Sequence, residues 1–178
     1  MNRYISDLHF GHKNILKADQ RPWDNVDDMD RGMIEFWNST VADDDDVWIL
    51  GDFTYRAPRH VQWYLGQLKG RKHLILGNHD RLLMEDRSAL LYFESVDKST
   101  EIVDEGRRVV LCHYPIAEWN GYYRGSWHVF GHIHGRKDTR VYEFIRGEER
   151  MLNCGAMVVG YRPAAFEEMV EANRRYKE

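Results

Sequence analysis

The sequence predicts an α/β layered fold, and two observations lead there. Short apolar runs alternate along the chain with amphipathic helical patterns. Chemistry-bearing residues fall repeatedly just behind those runs, where strand ends of an open α/β sheet converge on a ligand. The predicted strands are Arg3–Ser6, Val47–Leu50, His73–Leu76, Arg108–Cys112, His128–Phe130, Val141–Ile145 and Met151–Cys154.

Helices are predicted between them. Met29, Met33, Phe36 and Trp37 recur at helical spacing, with Asp24 after Pro22 as N-cap and Asp27 completing a capping box. A second helix starts at Pro58, presents Val61, Tyr64, Leu65 and Leu68, and stops at Gly70. A last helix begins near Pro163 and uses Phe166, Met169 and Val170. The acidic run Asp43–Asp46 lacks the spaced oxygens and turn glycine of a calcium loop, so it is expected to be a solvated turn.

At 178 residues, 43% hydrophobic and 30% charged, the chain is expected to form one globular domain spanning residues 1–178. Net charge is −4 with no basic run, which argues against a protein that tracks a nucleic-acid backbone. No apolar run approaches membrane-spanning length, so no membrane partner is expected. Cys112 and Cys154 stand alone and read as buried free thiols, which excludes zinc-finger and paired redox motifs. The first motif follows Met1 too closely to admit a signal peptide, and a cytoplasmic location is expected.

The informative pattern is a series of blocks: Asp7-Leu8-His9, Gly51-Asp52, Gly77-Asn78-His79-Asp80, His113 and Gly131-His132-Ile133-His134. Taken singly, an H-x-H or a G-D pair means little in a chain with nine histidines. Together they collect carboxylate, amide and imidazole donors in numbers sufficient for two neighbouring divalent cations. Mixed nitrogen and oxygen donors suit manganese, with iron, nickel, zinc or cobalt as alternatives, better than magnesium or calcium. In extended chain, residues two apart point to one side, so Asp7 with His9, and His132 with His134, can each face one site. Asp52 is the candidate bridge between the cations. Coordination lowers the pKa of water from 15.7 to about 7, which makes a hydroxide available for in-line attack on phosphorus. His79, left over after ligand counting, is the candidate to stabilise the transition state or protonate the leaving group, with Asp80 holding its orientation.

These blocks resemble the calcineurin-like metallophosphoesterase superfamily, whose pattern is D-x-H, G-D, G-N-H-[DE], H and G-H-x-H. The segments Phe10–Asn14, His113-Tyr114-Pro115 and Asn153–Pro163 are similar to those of small bacterial and phage members. The resemblance implies a four-layer αββα sandwich, two mixed β-sheets flanked by helices, with the dimetal site at the C-terminal ends of strands. It implies one metal held by Asp7, His9, Asp52 and His134, and another by Asp52, Asn78, His113 and His132, with His79 catalytic.

The expected activity is metal-dependent phosphoester hydrolysis on a small substrate. A diester is favoured over a monoester, because no extra positive group is evidently reserved for a dianion. The alternatives are a nuclease acting on short oligonucleotide ends and a non-catalytic scaffold of the same fold. Asn78, His12 and Arg124 are the candidate substrate contacts. Arg124 lies in the stretch with Trp119, Tyr122, Tyr123 and Trp127, which either stacks a base or packs the loop onto the core; packing is favoured. His60 and His73 are expected to be surface or structural, and His128 is unassigned.

Overall fold

A computed structural model describes residues 1–178. One sheet has the order β1 (Asn2–Ile5), β2 (Asp46–Ile49), β3 (Arg71–Ile75), β4 (Phe93–Asp97) and is parallel throughout. The other has the order β5 (Ser99–Asp104), β6 (Arg107–Cys112), β7 (Trp127–Phe130), β8 (Met151–Asn153), and only β5 runs antiparallel to its neighbour. The sandwich of two sheets with flanking helices is therefore present, with one of the two sheets mixed.

Strand alternation divides the core. Val109, Leu111, Val129 and Leu152 join Tyr4, Ile5, Val47, Ile49 and Leu74 in the main cluster. The intervening Val110, Phe130 and Met151 point the other way, into a second cluster with Trp119, Ile133 and Ile145. Ile145 comes from helix α6 (Arg140–Arg146), which covers that face.

α6 corrects the strand expected at Val141–Ile145. Thr139 caps it by accepting from the Tyr142 N–H at 3.1 Å, and Tyr142 and Ile145, three apart, are buried while Val141 and Phe144 are exposed. The two outer strands β4 and β5 escaped prediction because their residues are mostly half-buried or exposed and carry little apolar signal.

Among the helices, α1 (Ile15–Ala18) is a single turn, and α2 (Val26–Thr40) buries Met29, Met33 and Trp37. Its cap is Asn25, whose side chain accepts from the Asp28 N–H at 2.9 Å, rather than Asp24. Phe36 lies on the flank, largely exposed. α3 (Val61–Leu65) ends before Gly70, which instead turns the chain into β3 at φ +83°. α4 (Arg81–Glu85) and α5 (Arg87–Leu90) lead into β4, and α7 (Phe166–Lys177) closes the chain against β8 and β1.

The acidic run is a solvated turn only at Asp43 and Asp44. Asp45 is buried, accepting from Arg3 at 2.7 Å and from the Ala42 N–H at 3.0 Å, while Asp46 opens β2 and pairs with Arg71. Cys154 is buried and Cys112 half-buried, both as free thiols. No helix is long and apolar enough to cross a membrane.

Candidate metal centre

Five strands deliver the predicted donors to one place. Asp7 and His9 follow β1, Asp52 follows β2, Asn78 follows β3, His113 follows β6, and His132 and His134 follow β7. Donor atoms of Asp7, His9 and His134 lie within 4.8 Å of one another, as do those of Asp7, Asp52 and His113. Asn78 Oδ1 lies 3.1 Å from His113 Nε2 and 2.9 Å from His132 Nδ1. Asp52 stands between these groups, its Oδ2 3.6 Å from His9 Nε2 and 3.7 Å from His113 Nε2.

The local backbone that achieves this is not the extended alternation expected from D-x-H and H-x-H. Asp7, His9, Asp52, His132 and His134 all have left-handed φ, between 50° and 70°. His132 and His134 diverge as a result, one toward Asn78 and the other toward Asp7 and Asp19. Such conformations are sparse outside glycine and persist only where the surroundings enforce them.

Two glycines make room for the donors. A Cβ on Gly131 would stand 2.2 Å from Ser6 Oγ and 2.6 Å from Asp7 Oδ2. On Gly51, at φ +86°, it would stand 2.5 Å from His113 Nδ1.

The donor set fits divalent cations. Both ring nitrogens of His9 are buried without a hydrogen-bond partner, a costly condition for a polar group unless an ion is its partner. Burial, reinforced by neighbouring His134 and Arg21, pushes the His9 imidazole down to about 2, so it is neutral and free to ligate. Burial also raises the Asp52 carboxyl against the pull of His113, a conflict that nearby positive charge would relieve.

Residues 4–114 match the model of the calcineurin-like phosphoesterase family. The chain belongs to that family. An uncharacterised protein of Methanocaldococcus jannaschii is 30% identical over 169 residues, which is 94% of this chain and 88% of that protein. The gene 66 protein of Mycobacterium phage D29 is 34% identical over 158 residues, covering 75% of this chain and 78% of the phage protein. The crystal structure of an Aquifex aeolicus protein of unknown function shares the fold, with TM-score 0.74 and 23% identity over 96% of this chain and 98% of that one. Family membership brings hydrolase activity on phosphoesters and the use of divalent metals.

Seen as a phosphoesterase, the chain corrects two expectations. The Asp80 carboxylate does not orient His79. It is buried and accepts from the backbone N–H groups of Asp52 at 2.9 Å, Phe53 at 3.0 Å and Gly77 at 2.8 Å, tying two donor loops together. Arg124 is directed to Asn120, and the groove it lines, from Glu118 to Arg124, contains none of the metal-centre residues. Trp119 is buried against Tyr122 and His128, the packing the sequence favours, while Tyr123 stays exposed.

The remaining expected residues have definite places. His79 lies at the edge of the centre, Nε2 4.0 Å from Asp52 Oδ2, its ring against Tyr55 at 4.2 Å. His12 lies beside the centre, its ring 5.6 Å from that of His9 and 4.8 Å from that of Tyr55. His128 is structural, donating to the Val110 carbonyl and accepting from the Ile116 N–H at 3.0 Å. His73 stacks on Trp48 at 4.2 Å, and His60 is exposed.

Sequence reasoning missed the residues behind the donors. His113 donates through Nδ1 to the Leu50 carbonyl at 2.7 Å, which aims Nε2 inward. His134 donates through Nδ1 to Asp19, whose carboxylate also meets Arg21. Burial opposes charge on both members of that pair, yet their bond raises His134 and lowers Asp19. Buried Arg21 additionally donates to the Asp7 and Leu8 carbonyls, each at 2.7 Å. Asn153 donates to the His134 carbonyl at 2.7 Å. Asp19-x-Arg21 belongs to no recurrent block, so only the NCGAM segment carried any signal.

Proposed function

We propose that this chain hydrolyses phosphodiester bonds of a small substrate at a two-cation centre, with manganese the best-suited metal. Asp7, His9, Asp52 and His134 would hold one cation and Asp52, Asn78, His113 and His132 the other. The observation that carries this reading is the placement of Asp52 Oδ2, near 3.6 Å from an imidazole of each set. When bound, such a pair polarises the phosphoryl oxygens and supplies an activated water.

The chain's own residues do the rest. His79 has a side chain about one-third exposed, where it can reach both substrate and solvent. Its backbone N–H donates to Asp52 Oδ1 at 2.9 Å, which fixes its register against the centre. From that edge the ring can deliver a proton to the departing oxygen. Asn78 can turn its amide toward a phosphoryl oxygen while its carbonyl faces His113 and His132. His12 borders the same mouth.

The test is metal content by elemental analysis together with turnover of bis(p-nitrophenyl) phosphate and p-nitrophenyl phosphate under added manganese. The expected result is about two metals per chain and faster cleavage of the diester. Metal far below one per chain with no turnover under any divalent ion overturns the proposal.

A further inference from the structure

Beyond His79 the surface opens into a groove of about 460 Å³ lined by Tyr55, Arg56, Arg59, Asn78, His79 and Arg81 among others. Three arginines thus line a groove beside the catalytic edge of a chain whose net charge is −4. One acid also lines the groove, Asp86, and its carboxylate is engaged by the N–H groups of Ser88 and Ala89 and by Gln62.

The three arginines are not equivalent. Arg59 is anchored, 3.1 Å from Asp27 and stacked on Trp63 at 4.2 Å. Arg81 has only a loose, exposed approach to Glu85 at 4.0 Å, which contributes little in water. Arg56 has no carboxylate partner and lies over the Tyr55 ring at 5.2 Å. Its backbone is left-handed at φ 50°, an unfavourable state for a long side chain and one that clusters at functional positions.

Tyr55 links the groove to the chemistry. Its ring touches His79 on one side and His12 on the other, with centroids 4.2 Å and 4.8 Å away. Asn78 and His79 belong to the groove wall and to the metal centre alike. A group held by the arginines therefore sits on the side of the centre from which His79 would protonate the departing oxygen. Guanidinium groups match phosphate oxygens in geometry and stay charged at all working pH.

We propose that this groove binds a second phosphate of the substrate, on the leaving-group side of the scissile bond. This rests on the hydrolase reading above and narrows it to a diester whose leaving group is itself phosphorylated, as in a nucleotide chain or a diester built on a sugar phosphate.

The test is calorimetric titration of manganese-loaded protein with thymidine 3′,5′-bisphosphate against thymidine 5′-monophosphate, and with fructose 1,6-bisphosphate against fructose 6-phosphate. The bisphosphate of at least one pair is expected to bind about tenfold tighter. In the exposed double variant Arg56→Asn/Arg81→Gln, chosen because Asn tolerates left-handed backbone, that ratio should fall toward one. An advantage for the thymidine pair alone assigns the groove to nucleotides, and one for both pairs to bisphosphates generally; either upholds the second-phosphate site. No advantage in the wild type, or an equal advantage in the variant, overturns it. Bis(p-nitrophenyl) phosphate carries no second phosphate, so its turnover tests hydrolysis separately. Turnover without a bisphosphate advantage removes the groove alone, and an advantage without turnover removes the hydrolase alone.

Discussion

Asp19 receives the Nδ1–H of His134 in a two-pronged contact at 2.8 and 2.9 Å, which leaves Nε2 pointing at Asp7 from 3.6 Å. The carboxylate sets the tautomer and the ring plane, and it makes the imidazole a stronger donor. Partners of this kind behind a ligating histidine typically change metal affinity by 10–100-fold (roughly) when removed. Asp19→Asn should therefore weaken metal binding by about that factor, read by titration of the metal-free protein with manganese. Unchanged affinity would show that His134 needs no orienting.

His79 and Asp80 are neighbours with separate duties, and two variants divide them. His79→Asn should lower diester turnover by roughly 10²–10⁴-fold while metal content and Tm stay at wild-type values. Retention of full rate would remove His79 from catalysis.

Asp80→Ala strands three N–H groups, the buried ones of Asp52 and Phe53 and the half-buried one of Gly77. Orphaned buried donors cost about 1–3 kcal/mol each, so the expected effect is a clear loss of thermal stability. A variant that melts like wild type but shows a shifted pH–rate profile would restore the orienting role that the sequence suggested.

Asp30 supplies a pH signature away from the donors. It is buried, and its Oδ1 accepts from the Gly11 N–H at 2.9 Å. Burial pushes its carboxyl up to about 6, against the opposing pull of that N–H. The folded state therefore binds the proton more tightly than the unfolded chain does. Its contribution is fully present in acid and is lost as pH rises from about 4 to about 6. Asn at this position keeps an acceptor for Gly11 and never ionises. The Tm of Asp30→Asn relative to wild type should climb by several degrees between about pH 4 and pH 7, corresponding to roughly 3 kcal/mol. A difference that stays flat across that range would show that Asp30 does not titrate there.

The parts of this molecule legible in the sequence were those written in local pattern. The apolar runs of β1, β2, β3, β6, β7 and β8 announced the strands, and donors placed behind them announced a shared edge. Val141-Tyr142-Glu143-Phe144-Ile145 misled because its apolar residues satisfy both periods, and only the Thr139 cap and burial at Tyr142 and Ile145 decide for helix. Asp19 and Arg21 were invisible because what they do depends on meeting His134, over a hundred positions away. The same holds for Arg56 and Arg81, which read as isolated charges until β2 and β3 bring their loops together.

The left-handed backbone at Asp7, His9, Asp52, His132 and His134 has a consequence for how this centre can vary. Aspartate, asparagine and histidine are the side chains that enter that conformation most readily. Glutamate and cysteine are able metal donors, but neither shares that tolerance. The chain geometry thus filters the alphabet of ligands before any metal does. An attempt to retune the centre for a softer ion by exchanging donors in place would meet the backbone first, and would have to rebuild the turns along with the side chains.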